Sequence, residues 1–362
     1  MPILQDLYVY WWVPFWDDYK EVALQNIKKE IFRIQMKAIF YTKYGSPDML
    51  QLKEVDKPTP DKDEVLVKVY ATSVNSWDWD LLRGKPFLVR MIGGLWSPRH
   101  KILGADIAGL VESVGSNVKE FKPGDEVFGD TAGSGFGGFA EYVSVPEKLL
   151  ARKSPAMTFE QAAALPQAGL LALQGLCHKG SIKQSQEILI NGAGGAVGTI
   201  GLQYAKSLGA IVTCVDKAEK FELLRSLGAD HLIDYTKVDY TRNGLQYDRI
   251  LDVIAHKTVF DYKRALKPGG TFTMIGGSMG GLLLLFLLFG SIISRIGNKK
   301  LGIMGYKPNR KDLEYLNLLF EDGKMVPVID KCFPLQEVPA AFQYFGTGNV
   351  KGKIVIAVTD GK

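Results

Sequence analysis

Glu187-Ile-Leu-Ile-Asn191 runs directly into Gly192-Ala193-Gly194-Gly195-Ala196-Val197-Gly198, and this passage decides the fold. A short apolar run closed by glycines reads as a buried strand that turns sharply, and the residues to about Leu208 then read as a helix. A helix N-terminus carries unpaired amide N–H groups and a partial positive charge, which suits a diphosphate. Glycine lets the backbone approach those oxygens and lets helix pack on strand. The strict GxGxxG pattern is absent, because the spacing begins on alanine: Ala193-x-Gly195-x-x-Gly198. The context supplies what the glycines lack. The next strand, Ile211–Val215, ends at Asp216, where a carboxylate can accept both hydroxyls of an adenosine ribose. Gly192, Gly194, Gly195, Ala196, Val197 and Gly198 are therefore the candidate dinucleotide cradle, and Asp216 the candidate ribose acceptor.

Asp216 would repel a ribose 2′-phosphate by about 1 kcal/mol or more across some 4 Å. Lys217, Lys220 and Tyr235 nevertheless lie where such a phosphate could be gripped. Either lysine could equally be a solvated helix-start residue. The reading leans to NADH and leaves NADPH open.

Outward from the loop, strands and helices alternate with short links. Helix Phe159–Lys179 precedes it; helix Glu219–Leu227, strands His231–Ile233 and Asp248–Ile254, helix Thr258–Leu266 and strand Thr271–Ile275 follow. That alternation predicts a doubly wound parallel sheet over 156–302, covered on both faces. Residues 36–155 read differently, as short strands separated by turn chemistry at Gly115-Ser116-Asn117 and Pro123-Gly124-Asp125. They predict a compact β-barrel-like unit, to which the chain returns over 303–362, making that unit discontinuous. Residues 1–35 are an aromatic-rich extension ahead of the strand that Met36 opens. They lack a basic n-region and a small-residue cleavage site. An alternative start and a clamp or membrane-surface anchor are both open readings of them. Leu282–Phe289 is an unbroken apolar run, too short for a spanning helix of about 20 residues, and reads as a buried or interface helix. Membrane contact is not expected.

The composition excludes other classes. The apolar and charged fractions, 46% and 23%, are those of a globular protein. The net charge of +5 is scattered over the chain with no basic stripe, so nucleic-acid binding is not expected. Cys177, Cys214 and Cys332 share no short spacing, so no disulfide framework or zinc knuckle is signalled and a reducing, cytoplasmic setting is expected.

The sequence resembles the medium-chain dehydrogenase/reductase superfamily, and more narrowly its zinc-free quinone-oxidoreductase-like and reticulon-interacting-like branch. Beside the glycine loop the resemblance rests on Tyr44-Gly-Ser-Pro47, Ser73-Val-Asn-Ser-Trp-Asp78, Leu103-Gly-Ala-Asp-Ile-Ala-Gly109, Val118–Phe128, Ala163–Gly175, Arg225–Tyr235 and Gly323–Asp330. It spans Met36 to Val358. It implies a GroES-like β-barrel catalytic domain plus a Rossmann domain, an active site in the cleft between them, and a homodimer, with Leu282–Ile303 covering an edge strand. It also implies that Gly194 to Val197 face the pyrophosphate, that Asp216, Lys217 and Tyr235 line the adenosine end, and that Ile254 and Gly276 approach the nicotinamide ribose.

Zinc-dependent relatives place a cysteine, a histidine and a third ligand where this chain has Asn75, Gly104-Ala105-Asp106 and Pro166-Gln167-Ala168, and the four-cysteine structural lobe is missing. No zinc is expected. Without a Lewis acid for a developing alkoxide, the easier substrate is a conjugated acceptor, whose charge spreads into an enolate or hydroquinone anion and needs only a few donors. Asn75 is the candidate catalytic donor, with a turn-stabilising role as the alternative; Asp78 is the second candidate, with holding the loop as its alternative. Leu171 stands where relatives carry a threonine, and Ala255-His256 replaces a usual Gly-Asn or Gly-Gly, so His256 could touch cofactor or substrate or simply be exposed. The expected function is zinc-independent, NAD(P)H-dependent reduction of a small-molecule quinone or α,β-unsaturated carbonyl. An alcohol dehydrogenase acting on simple alcohols and a non-catalytic NAD(P)H-binding partner protein are the alternatives.

Overall fold

The computed structural model describes residues 34–177, 180–277 and 298–359. Most of the extension, the Leu282–Phe289 run and His178 lie outside the described residues.

Chain order begins with an antiparallel pair, β1 (Gln35–Phe40) and β2 (Gln51–Asp56), followed by β3 (Glu64–Val74), α1 (Ser76–Arg83), α2 (Leu88–Gly93) and β4 (Asp106–Val114). Next come β5 (Glu126–Asp130), β6 (Tyr142–Pro146), β7 (Leu150–Arg152), α3 (Phe159–Ala163) and α4 (Pro166–Cys177). The nucleotide-type unit follows: β8 (Glu187–Asn191), α5 (Ala196–Ser207), β9 (Ile211–Asp216), α6 (Phe221–Ser226), β10 (His231–Asp234), β11 (Tyr247–Asp252), α7 (Val259–Ala265), β12 (Leu266–Met274) and β13 (Lys300–Ile303). The chain ends with α8 (Arg310–Glu321), β14 (Ile329–Pro334), α9 (Val338–Gly346) and β15 (Lys353–Ala357).

Two large sheets result. One has the order β10-β9-β8-β11-β12-β13, parallel throughout. Its strand order reverses between β8 and β11, the place where doubly wound sheets bind dinucleotides. Ile188, Leu189 and Ile190 of the central strand are all fully buried, as expected where helices cover both faces. The other sheet has the order β14-β15-β3-β4-β5-β7, with β6 on β3. Its partners β14 and β15 come from the end of the chain, so this sheet is built from two separated stretches. Alternation along β3 and its neighbours puts Val65, Val67, Val69, Ile107 and Val127 into one closed apolar cluster.

The long helix expected over Phe159–Lys179 is broken in two. Thr158 caps the first piece by accepting from Gln161 N, and Pro166 opens the second. A proline disfavours helical backbone in the residue before it and is well placed at a first helical position, so the chain restarts there. Helix α4 is apolar on nearly every side because it lies between the sheets, packing with Phe128 and Ala151 of one and Ile188 and Ile190 of the other. Its glycines permit that approach: a Cβ on Gly169 would stand 2.5 Å from Leu316, and one on Gly175 would stand 2.7 Å from Leu251. Strand β13 still belongs to the parallel sheet, so the return to the other sheet is completed only after α8. Among the described residues, no helix is long and apolar enough to cross a membrane.

Candidate active site between the two sheets

The glycine loop leaves β8 at Gly192 (φ 78), whose N–H donates to Val215 O at 3.0 Å. Gly195 is the N-cap of α5, with extended backbone and no side chain to satisfy the helix amides. Those amides are left for an anion. Gly198 is a packing glycine, since a Cβ there would meet Ala193 Cα at 2.4 Å.

A cleft of about 440 Å³ runs past this helix end, bordered by Gly192, Gly195, Ala196 and Val197. Asp216, Lys217, Lys220 and Tyr235 also border it, as do Ile254, Asn75 and Lys353. A second cleft of about 370 Å³ adjoins it through Ser76, Gln167, Leu171, Val197 and Val253, and reaches Gly276, Trp77 and Tyr306. Gly194 and Gly198 do not border either cleft. Gly194 instead donates its N–H to Asp216 Oδ2 at 2.8 Å. Ile254 is held at the switch point by its N–H to Asp252 Oδ1, 3.1 Å, and that carboxylate also takes Asn191 Nδ2 and the Tyr240 hydroxyl. His256 is exposed and folds back on Ile254 O rather than into a cleft.

Asp216 is more heavily engaged than its sequence position suggests. Besides Gly194 it accepts from Lys217 N at 2.9 Å, and Lys220 Nζ stands 3.5 Å from Oδ1. Each carboxylate oxygen keeps a second lone pair for a ribose hydroxyl.

Asn75 and Lys353 are organised by Asp106, at the start of β4 and fully buried. Its Oδ2 accepts from Ser73 Oγ (2.6 Å) and Asn75 Nδ2 (3.0 Å), its Oδ1 from Gln167 N at the start of α4 (2.7 Å), and Lys353 Nζ stands 2.8 Å from Oδ2. Lys353 also donates to Asn75 Oδ1. Neither charge of this ion pair is more than 3% exposed. Sequence reasoning missed Lys353. The available signal was a lysine opening the otherwise apolar strand Lys353-Ile-Val-Ile-Ala357, for which burial demands a counter-ion.

Asp78 is not at either cleft. It is fully buried, its Oδ2 accepting from Asn75 N and its Oδ1 from Gly104 N, at 3.0 and 2.9 Å. Burial pushes its pKa up to about 7 against those two backbone donors, and Asp106 adds to the rise. Of the two catalytic candidates, only Asn75 faces the open volume, and Asp78 ties α1 to the loop before β4.

The positions that hold zinc in zinc-dependent relatives do not fit that ion. They present Asn75, Gly104-Ala105-Asp106 and Pro166-Gln167-Ala168, of which only Asp106 is a good ligand, and the ammonium of Lys353 already stands against it. Among the described residues, no group of three histidines, cysteines or acids could hold a metal.

Residues 61–155 match the family model described as alcohol dehydrogenase GroES-like domain, and 227–356 the one described as zinc-binding dehydrogenase. The zinc in that second description has no counterpart in the donor set just given. The chain is 35% identical over 335 residues to 2-methylene-furan-3-one reductase of Solanum lycopersicum, covering 89% of this chain and 79% of that protein. The same identity and coverage relate it to the chloroplastic NADPH-dependent alkenal/one oxidoreductase of Arabidopsis thaliana. The solved quinone oxidoreductase of Coxiella burnetii superposes with a TM-score of 0.79 at 28% identity, covering 90% of this chain and all (100%) of that one. On its two matched domains, its strand orders and these relatives, the chain belongs to the medium-chain dehydrogenase/reductase family.

Proposed function

We propose that the protein reduces quinones and α,β-unsaturated carbonyl compounds with NADPH, without a catalytic zinc. One observation carries the reading: where a Lewis-acid ion would stand beside the coenzyme cleft, a buried ammonium, Lys353, is locked between Asp106 and Asn75. Bound in the cleft, the coenzyme supplies a hydride for an electron-poor carbon of the substrate.

The chain's own groups do the rest. The α5 N-terminus, with the backbone of Gly195, Ala196 and Val197, takes the diphosphate; Gly192 and Gly198 shape the turn, and Gly194 fixes Asp216. Ile254, Gly276 and Leu171 wall the nicotinamide end. Asn75 Nδ2 has a second hydrogen and Lys353 Nζ a third beyond those used on Asp106 and on each other. Both are donors for a carbonyl oxygen gaining charge. For a conjugated acceptor, where that charge is spread over several atoms, such donors suffice. The alkoxide of a simple alcohol gets no comparable help.

NADPH is proposed over NADH because the charge of Asp216 is already met by two amides and by Lys220. The repulsion expected from the sequence is thereby weakened, while Lys217, Lys220 and Tyr235 remain around the 2′ position. The NADPH dependence named for the Arabidopsis relative supports the same choice. A homodimer is proposed with it, as the family resemblance implies; light scattering in solution tests this.

The test of function is a steady-state panel of NADPH and NADH against 9,10-phenanthrenequinone, pent-3-en-2-one and primary alcohols. Turnover of the first two without added metal is expected. Tight NADPH binding with no turnover of any acceptor, or alcohol oxidation that requires stoichiometric zinc, overturns the proposal.

A further inference from the structure

We propose that Tyr306 is the proton donor of this reduction and that Asp130 recharges it, an inference that rests on the reductase reading above. Hydride alone leaves an anion, and the reaction needs one proton as well. The adjoining cleft is walled in part by Ile275, Leu171, Val197 and Gly276, and a donor fixed at its wall delivers that proton more effectively than passing water. Tyr306, between β13 and α8, also borders that cleft, and its hydroxyl donates to Asp130 Oδ2. Asp130 ends β5, is fully buried, and takes Ala132 N on Oδ1 at 2.7 Å.

Besides Tyr306, the charged groups facing Asp130 are Asp106 from β4 and Lys353 from β15. With Asp78, three buried carboxyl groups share a single ammonium, and Asp106 pairs with that ammonium directly. Burial first, and the charge of Asp106 second, push Asp130 up to about 7. A tyrosine hydroxyl has one hydrogen. While Asp130 is ionised, that hydrogen points at the carboxylate. Once Asp130 is protonated, the carboxyl donates to the phenol oxygen and the phenolic hydrogen is free for the cleft. Burial and the Asp130 charge together hold Tyr306 well above the usual tyrosine range. Protonating Asp130 therefore also makes Tyr306 the stronger acid.

The balance is simple. The substrate gains a hydride from the reduced coenzyme, and its electron pair moves onto the carbonyl oxygen. The Tyr306 O–H bond breaks as a new O–H bond forms on that oxygen. The phenolate takes the Asp130 carboxyl proton, and the carboxylate is reprotonated from water. One hydride and one proton reach the substrate, and the coenzyme leaves oxidised.

The test uses Tyr306→Phe and Asp130→Asn with NADPH and pent-3-en-2-one. Wild-type kcat/KM should fall above pH 7 and show a normal solvent isotope effect. Asp130→Asn should lose that alkaline limb. Tyr306→Phe should lower kcat by about a hundredfold or more and lose the solvent isotope effect, with the Kd for NADPH unchanged in both. A readout without coenzyme is carboxyl-13C NMR of labelled aspartates. The resonance missing from Asp130→Asn should titrate near neutrality in wild type and move up in Tyr306→Phe, which removes a donor to the carboxylate. Tyr306→Phe with unchanged kcat and isotope effect, or an alkaline limb that persists in Asp130→Asn, overturns the proposal alone. Wild type that binds NADPH yet turns over no acceptor overturns it together with the reductase reading. If a variant does not fold, the wild-type pH limb and isotope effect decide, and absence of both overturns it.

Discussion

Gly195→Asp separates coenzyme binding from folding more cleanly than any other change in the loop. Gly195 has φ −87 and ψ 178, backbone that any residue adopts, and a Cβ built on it meets only Gly192 O, at 3.6 Å. Aspartate is among the best N-cap residues and exceeds glycine there by a few tenths of a kcal/mol. The coenzyme-free fold should be as stable as wild type or slightly more so. The new carboxylate would take the N–H of Val197 or Gly198, competing with the phosphate for Val197, and would add a like charge beside it. Two unit charges about 4 Å apart repel by about 4 kcal/mol at an effective dielectric of 20. Water in the cleft reduces this, so a loss of about 2–4 kcal/mol is expected, or thirty- to seven-hundredfold in Kd. Fluorescence titration with NADPH measures it, and thermal unfolding without coenzyme checks the fold. Gly195→Asn keeps the cap without the charge and should fall between the two. An unchanged Kd for Gly195→Asp, with Tm at or above wild type, would refute the placement of the diphosphate. Gly198 would be the wrong position to test, because the 2.4 Å approach to Ala193 makes any side chain there a packing defect.

Asp216→Ser removes the repulsion toward a 2′-phosphate and frees Lys220, so the ratio of kcat/KM for NADPH over NADH should rise by about fivefold or more; an unaltered ratio would show that Asp216 does not read the ribose. Lys353→Met leaves Asp106 charged and without its ammonium; unfolding in urea should show a loss of about 3–5 kcal/mol, and the variant should lose kcat toward enones while still binding NADPH. Asp78→Asn tests the raised carboxyl: between pH 4 and 7 native Asp78 keeps a proton that the unfolded chain has released, so wild-type stability falls with pH by about 1.4 kcal/mol per unit from this group. The variant lacks that slope, so its stability relative to wild type should improve by this amount per pH unit across the window, and parallel pH profiles would refute the burial argument.

What the sequence made legible was whatever depends on neighbours along the chain. Strand β8, the glycine turn and α5 are contiguous, and the expected boundaries lie close to those observed. The break at Pro166 was also local, yet the apolar run on both sides hid it, since a helix buried between two sheets has no polar face to give its periodicity. The buried polar cluster was not legible. Asp106, Asn75 and Lys353 come from β4, the end of β3 and β15, and nothing in the spacing of Lys353 says which carboxylate will face it. Asp78 shows two readings that the sequence left side by side. Its motif position made it a catalytic candidate with holding the loop as the alternative, and three residues after Asn75, at the start of a helix, the carboxylate closes a capping box.

The discontinuity of the first sheet bears directly on how the site is assembled. Strand β15 delivers Lys353 to Asp106, and the residue before it, Gly352, donates its N–H to Gly194 O at 2.9 Å. Gly352 is confined to glycine by φ 77 and by Val328 O, which would stand 2.3 Å from a Cβ. The returning segment therefore touches the coenzyme loop with one residue and supplies the site's ammonium with the next. Gln167 N, at the start of the helix between the sheets, closes the circuit on the other oxygen of Asp106. Ser73, Asp106 and Lys353 all lie on the first sheet, so a displacement of one sheet against the other would break the Gly352 N–Gly194 O bond and leave the Asp106–Lys353 pair intact. The Asp106 carboxylate positions both Asn75 and Lys353, so the donors offered to the carbonyl oxygen are set by a single group, while the coenzyme loop meets that group's sheet through Gly352.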